Sequence, residues 1–149
     1  MKKLFALLLA LTMVLTLAAC GDNGKTPSDD SGKGGKAWPA SDYMPDGIAY
    51  AGGGKIVVIV DDVAGGHMIY INGATKSDFD TYVSQLESAG ISGKVTDLDE
   101  GVYIYGGTKD SFFANLDFCG DKVKTTADKV NGKMVDVEYN LLISLGVTG

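Results

Sequence analysis

The chain offers one cysteine–histidine combination for nucleophilic chemistry. His67 is the only histidine among the 149 residues, and Cys119 lies in the run "ANLDFCGD". A catalytic thiolate needs a neighbouring base, so a Cys119–His67 dyad would make the protein a thiol enzyme. Packing is the favoured interpretation, because Cys119 ends an apolar-alternating run and a buried cysteine behaves as a small hydrophobe. No G-x-S-x-G motif supplies a serine nucleophile, and a single histidine excludes a multi-histidine metal site.

Carboxylates are the second group that could do chemistry. The run "DLDEG" from Asp97 to Gly101 clusters the oxygen ligands that Ca²⁺ prefers, and Asp61 with Asp62 could add more. The order of acids does not match an EF-hand loop, so a solvated acidic turn is favoured over a calcium-stabilised structural module. Paired acids for a surface hydrolase have no support beyond their abundance. "GGGKI" at residues 52–56 lacks the Ser or Thr of a phosphate-binding loop and is interpreted as a turn.

Aromatic side chains are the third group, as candidates for ligand binding. Tyr103 and Tyr105 share one face of a predicted strand, whereas Val102 and Ile104 take the other. If the valine and isoleucine face the helix, the tyrosines form an outward patch that could stack on sugar rings or a peptide. The favoured alternative is that residues 38–50 cover the tyrosines, or that tyrosine simply suits a strand. The candidate ligand-binding residues are Tyr70, Tyr103, Tyr105 and Trp38.

The amino terminus has the form of an export signal. Two lysines precede Leu4–Leu17, a run of fourteen residues without charge. A spanning helix needs about 20 apolar residues, so this run is short for a permanent anchor and suits a signal peptide. The four residues "LAAC" that end at Cys20 resemble the lipobox of bacterial lipoproteins: a branched apolar residue, two small residues and a cysteine. The resemblance implies cleavage after residue 19, a diacylglyceryl thioether on Cys20 and usually acylation of the new amino terminus.

Lipidation would fix where the protein resides. Two or more acyl chains give stable anchoring, so Cys20 is expected to hold the protein on the outer face of the cytoplasmic membrane, at the bacterial cell surface. No cofactor other than this covalent lipid is expected.

The charge of the mature chain argues against nucleic acid as a partner. Removal of residues 1–19 takes two lysines and no acid, which changes the net charge from −6 to −8. The chain has no arginine, the usual residue for phosphate and base contacts, so nucleic acid is not expected as a partner.

Composition divides the chain into three parts. Residues 1–19 are the predicted signal peptide, residues 20–37 the lipidated cysteine with its tether, and residues 38–149 a single small domain. The tether contains no large apolar residue and is rich in Gly, Ser, Asp and Lys. Seventeen such residues have a root-mean-square reach of roughly 23 Å, so the domain would be held near the bilayer.

Hydrophobic periodicity predicts one helix in the domain. Phe79, Tyr82, Val83 and Leu86 follow helical spacing, which predicts a helix from Asp78 to Ala89. We expect Ser77 as its N-cap, Gly90 in the left-handed conformation after its end, and a hydrophobic contact from Ile91.

The remaining patterns predict strands. "KIVVIVDD" at residues 55–62 is nearly continuous and predicts a central strand or one buried on both faces, and "HMIYINGA" at 67–74 would pair with it. Asn131-Gly132 predicts a hairpin turn whose second arm alternates from Val135 to Leu141. The predicted class is α+β, an antiparallel sheet of about five to seven strands with one amphipathic helix packed on one face. Further strands are predicted within residues 94–98, 101–107 and 111–120.

The domain also resembles small lipoproteins of Gram-positive gut-type bacteria. These proteins carry a tethered domain with an early Trp-Pro and a helix of the pattern acid-x-Tyr-x-x-x-Leu-x-x-x-Gly. The resemblance covers about residues 38–118 and implies a cellular address and a rough fold, but no catalytic residue. The anchor, the tether and the lack of a catalytic constellation in the sequence favour a non-catalytic binding or scaffolding module at the cell envelope, with an envelope glycan, a peptide or a protein as partner. The matching residues are Trp38, Pro39, Pro45, Gly47, Asp80, Tyr82, Leu86 and Gly90.

Overall fold

Eight strands and one helix form the part of the chain that the structure, a computed structural model, describes: residues 36–39, 44–61, 66–121 and 123–148. The predicted signal peptide, Cys20 and most of the tether lie outside these residues. The class is α+β, as predicted. In chain order the elements are β1 (Lys55–Asp61), β2 (His67–Asn72), α1 (Lys76–Ser88), β3 (Ser92–Asp97), β4 (Tyr103–Lys109), β5 (Phe112–Phe118), β6 (Lys124–Val130), β7 (Lys133–Tyr139) and β8 (Leu141–Val147).

The strands form two antiparallel sheets. The larger has six strands in the order β1-β2-β8-β5-β4-β3, and the smaller consists of β6 and β7. The predicted hairpin turn is confirmed, since Asn131 and Gly132 both have positive φ, 50° and 79°. The prediction of one continuous arm from Val135 to Leu141 is wrong. The strand ends before Asn140, after which β8 enters the centre of the other sheet.

The first strand lies at an edge of the six-stranded sheet, so of the two predicted alternatives the central position is wrong and coverage on both faces is the one found. Ile56 and Ile59 contact a hydrophobic cluster on one face, whereas Val58 and Val60 contact another cluster on the opposite face. A strand covered on both faces reads as a continuous apolar run even where it has only one neighbouring strand.

The helix begins earlier than its sequence pattern indicates. Its N-cap is Thr75 rather than Ser77, and Thr75 forms a reciprocal capping box with Asp78. The predicted face is confirmed, because the buried helix residues are Phe79, Tyr82, Val83 and Leu86. Gly90 has the expected positive φ, 85°, and the Ile91 N–H donates to Leu86 O at 3.0 Å.

Two hydrophobic clusters hold the elements together. The first, the helix cluster, joins the buried face of α1 to residues of β1, β2, β4, β5 and β8, and the rings of Phe79 and Phe118 lie 5.7 Å apart. The second, the hairpin cluster, joins Tyr70 of β2 to Val137 and Tyr139 of β7. In β2 the side chains therefore alternate between clusters, with Ile69 in one and Tyr70 in the other.

The segment before β1 lies against the helix and the sheet edge. The Lys36 N–H donates to Ile56 O at 3.2 Å, so a residue two positions before the predicted domain start already contacts the fold. Farther along, the Tyr82 hydroxyl donates to Ile48 O at 2.9 Å. The Gln85 amide donates to Ala49 O at 2.9 Å. Side chains of α1 thus fix this segment by its backbone carbonyls.

Candidate functional site

Tyr103 and Tyr105 do not form an outward patch, so the less favoured of the two interpretations of this pair is wrong. Tyr105 is 0% exposed, and its hydroxyl donates to Ile91 O at 2.7 Å. Burial raises the pKa of Tyr105. Tyr103 is half-buried beside Phe79, with 6.2 Å between ring centres. Ile104 takes the opposite face and is 38% exposed, so the tyrosines contact the helix cluster.

Two glycines make room for the Tyr105 ring. A Cβ on Gly107 would overlap the Tyr105 hydroxyl oxygen, and a Cβ on Gly93 would lie 2.6 Å from the ring Cζ. Gly93 and Gly107 face each other across β3 and β4, so the ring lies over a pair of residues without side chains. The order Tyr105-Gly106-Gly107 in the sequence is thereby explained by packing.

The other two aromatic candidates are packed in different places, Tyr70 in the hairpin cluster and Trp38 against the helix cluster. Tyr70 is 4% exposed within the hairpin cluster, where its ring lies 5.1 Å from that of Tyr139 and its hydroxyl donates to the Asp128 carboxylate at 2.5 Å. Burial and then this carboxylate raise the pKa of Tyr70. Trp38 is half-buried, with its ring edge-on to Tyr82 at 6.2 Å. The four candidate aromatic residues therefore share no common surface.

The Cys119–His67 dyad, the less favoured interpretation of these residues, is not formed, because the two residues lie at opposite ends of β8. His67 faces Leu145, whereas Cys119 follows Phe118, which faces Leu141. Four strand residues correspond to about 13 Å. The Cys119 thiol is 1% exposed and donates to Asn140 O at 3.3 Å, and burial raises its pKa. A buried thiol with a raised pKa is a poor nucleophile.

The acidic run between β3 and β4 is a tight turn. Asp99 and Glu100 have positive φ, 70° and 51°, and the Asp99 N–H donates to the Asp97 carboxylate at 2.9 Å. Asp61 instead lies 2.7 Å from the His67 imidazole, and Asp62 falls outside the described residues. Within the described ranges no group of three or more His, Cys, Asp or Glu side chains could hold a metal ion.

The glycine loop before β1 meets the amino terminus of α1. There the Gly53 N–H donates to Asp78 Oδ1 at 2.7 Å, and the Thr75 N–H and hydroxyl donate to Oδ2 at 2.7 and 2.6 Å. Desolvation raises the pKa of Asp78, but these hydrogen bonds outweigh it and the net pKa is lowered. A carboxylate of the chain itself thus occupies the place where a glycine loop and a helix terminus could hold an anion.

Asn140 is an organising residue that the sequence analysis did not identify. It is 5% exposed, and its side-chain amide donates to Ala74 O at 2.6 Å and to Gly120 O at 3.0 Å. Its backbone carbonyl also accepts the Cys119 N–H at 2.9 Å. The sequence signal is a polar residue at the point where the alternating run "VDVEY" gives way to the mostly apolar run "LLISL".

An open groove lies between the first strand and the β6–β7 hairpin, with a volume of about 470 Å³. The β1–β2 register shifts between Ile56 and Val58, which marks a bulge beside the groove. Valines and two carboxylates share its walls, and the Asn72 amide donates to Glu138 O at 3.3 Å. The lining residues are Val57, Val58, Asn72, Thr125, Asp136, Val137 and Glu138.

Comparisons with known proteins assign no family to this arrangement. No protein-family model, curated protein or solved structure matches the chain. Among the described residues, no helix has the length and apolar character needed to cross a membrane.

Proposed function

We propose that this chain is a bacterial lipoprotein: Cys20 carries the acyl anchor, and residues 38–149 form a binding or scaffolding module outside the cytoplasmic membrane. The sequence "LAAC" carries the proposal, because it follows two lysines and an uncharged run of signal-peptide length. The composition of the predicted tether supports it as well, since a segment rich in Gly, Ser, Asp and Lys after the anchor would let the domain stand off the bilayer.

The module is proposed to act without catalysis. The thiol and the imidazole lie far apart, which removes the geometric basis of a thiol enzyme. The described acids form no three-ligand group, so the calcium alternative gains no support. We further propose that α1 covers one face of the six-stranded sheet, because its buried residues share the helix cluster with five strands.

A peptide or a protein is the partner class that the surface supports best. Stacking on sugar rings needs exposed aromatic faces, and Tyr70 and Tyr105 are buried. The surface instead offers a groove of valines and carboxylates beside an edge strand, together with a second edge at β3. Strand edges and grooves of this kind bind extended chains through backbone hydrogen bonds.

The anchor is tested by Cys20→Ser, with Cys119→Ser as the matched control. Wild type and Cys119→Ser should fractionate with membranes, incorporate a clickable palmitate analogue and accumulate as precursor under globomycin. Cys20→Ser should lose the lipid label and the globomycin response, because it lacks the thiol that forms the thioether. If Cys20→Ser leaves labelling, processing and fractionation unchanged, the anchor proposal is wrong.

A further inference from the structure

The two edges of the six-stranded sheet differ in how they are protected. At the β1 edge, the strand carries a bulge and Ile56 O accepts the Lys36 N–H. At the β3 edge, all six residues from Ser92 to Asp97 are exposed, and the pairing with β4 is regular. No described strand lies on the outer side of β3. A regular, uncovered edge is a template for another strand.

The register identifies which backbone groups point outward. The Leu98 N–H donates to Val102 O at 2.9 Å, which sets the phase of the hydrogen-bonded pairs between β3 and β4. Such pairs alternate along an antiparallel ladder, so Thr96 and Lys94 also direct their backbone groups toward β4. Gly93, Val95 and Asp97 therefore present their N–H and C=O groups at the outer edge.

We propose that this edge binds the β3 edge of a second copy, antiparallel and centred on Val95, which joins two six-stranded sheets into one. In this register Val95 faces Val95 of the second copy and Lys94 faces Thr96, so no like charges stand directly opposite. Moving the pairing centre one residue back, to Lys94, would place the two Lys94 residues face to face. The edge charges thus disfavour the register centred on Lys94 and are compatible with the one centred on Val95.

Charge complementarity beyond the strand favours the same register. It brings the acidic turn that follows Asp97 in one copy toward the segment that precedes Ser92 in the other. The Lys109 ammonium group lies beside that segment, because it donates to Ala89 O at 2.7 Å and approaches Gly90. The acidic turn of each copy would therefore lie near a lysine of the other, which offsets part of the repulsion between two acidic chains.

Such an edge is short for a stable complex in dilute solution. Six residues span about 20 Å, and the surface they bury falls below the size of stable interfaces. Two copies held on one membrane have a raised effective concentration, which favours a weak contact. The gain in effective concentration rests on the proposed anchor, whereas the pairing register does not.

The register is tested by oxidative crosslinking of Val95→Cys in the full chain, in membranes and after purification in detergent at high concentration. Opposed residues in a hydrogen-bonded pair have Cα atoms about 5.5 Å apart, which a disulfide can bridge. Two Thr96 residues would lie about 7–8 Å apart and two Thr108 residues farther still. We expect a reducible dimer of Val95→Cys, at least about tenfold more abundant than with Thr96→Cys or Thr108→Cys.

Each other outcome has a defined meaning. Equal crosslinking of all three variants, or no dimer of Val95→Cys in either preparation, overturns the proposal, and so does an adduct with a different protein. A dimer of the wild type that Cys20→Ser abolishes would overturn only the anchor, since an acylated Cys20 has no thiol to oxidise.

Val95→Lys supplies a second test. It places like charges opposite each other and should abolish self-association of the purified chain while leaving its melting temperature unchanged, because Val95 is exposed.

Discussion

The side chain of Asn140 exchanges two hydrogen bonds with the backbone of Ala74. Its carbonyl oxygen accepts the Ala74 N–H at 3.0 Å, and its amide donates to Ala74 O at 2.6 Å. Asn140 lies between β7 and β8, and Ala74 lies between β2 and α1. The pair therefore fastens the point where the chain passes from the small sheet to the large one onto the start of the helix.

Replacing Asn140 with Ala should be among the most destabilising single changes at a polar residue. It leaves the buried N–H and C=O of Ala74 without their partner, and each unsatisfied buried group costs about 1–3 kcal/mol. We expect the free energy of unfolding to fall by about 2–4 kcal/mol in urea titrations. Asn115→Ala, at an exposed position of β5, should change it by less than about 0.5 kcal/mol. Equal effects of the two variants would contradict the structural role of Asn140.

The adjacent glycines of β4 should differ in their tolerance of a methyl group. A Cβ on Gly107 overlaps the fixed Tyr105 ring, so Gly107→Ala should lower the free energy of unfolding by about 1–3 kcal/mol. A Cβ on Gly106 would approach only Asn115 Oδ1, at 3.2 Å, and that exposed side chain can move aside. Gly106→Ala should therefore be nearly neutral. Thermal unfolding of both variants checks this prediction, and a tolerated Gly107→Ala would mean that the Tyr105 ring lies elsewhere.

Local sequence patterns predicted the elements whose cause is local. The buried face of α1, the alternation of β5 and the Asn131-Gly132 turn each depend on residues a few positions apart, and each is confirmed. The N-cap was misplaced by two residues because Thr75 and Ser77 are both good caps. Only the reach of Asp78 to Gly53 and Thr75 distinguishes them.

Nonlocal neighbours determined what the patterns could not. Either face of a strand suits the four residues from 102 to 105. Alternation alone therefore does not say whether Val102 and Ile104 or Tyr103 and Tyr105 face the helix. Gly93 and Gly107 decide it, because they pair across β3 and β4 and leave room for the Tyr105 ring over them. Likewise, the local sequence around Asn140 does not indicate whether the chain continues in the same sheet or passes to the other one there.

The Cys119 thiol should react slowly in the folded protein. It is 1% exposed and burial raises its pKa, so little thiolate is present and access is restricted. We expect alkylation by iodoacetamide at pH 8 to be about 100-fold slower in native buffer than in urea. A cysteine introduced at the exposed Thr108, in a Cys119→Ser background, serves as the reference and should react at similar rates in both conditions. Fast native alkylation of Cys119 would restore the thiol-enzyme hypothesis.

The Asp78 carboxylate should contribute to the acid sensitivity of the fold. Its pKa is lowered in the folded state by hydrogen bonds from Gly53 and Thr75. Because the pKa is lower in the folded state, the carboxylate stabilises the protein at every pH above its pKa in the unfolded chain, about 3.9. That stabilisation is lost as the pH falls through the pKa of the folded state. Asp78→Asn should therefore cost about 1 kcal/mol at pH 7, the usual worth of a helix cap.

The pH profile separates this effect from a simple loss of packing. The difference in free energy of unfolding between wild type and Asp78→Asn should shrink as the pH falls below about 4, because the wild-type carboxylate then takes up a proton. Asp80→Asn is the matched control, since Asp80 pairs only at the surface with Lys76 of the same helix. Its cost should be smaller, within about 0.5 kcal/mol. If the difference between wild type and Asp78→Asn stays constant from pH 7 to pH 3, the charge of the Asp78 carboxylate does not contribute to the stability of the folded protein.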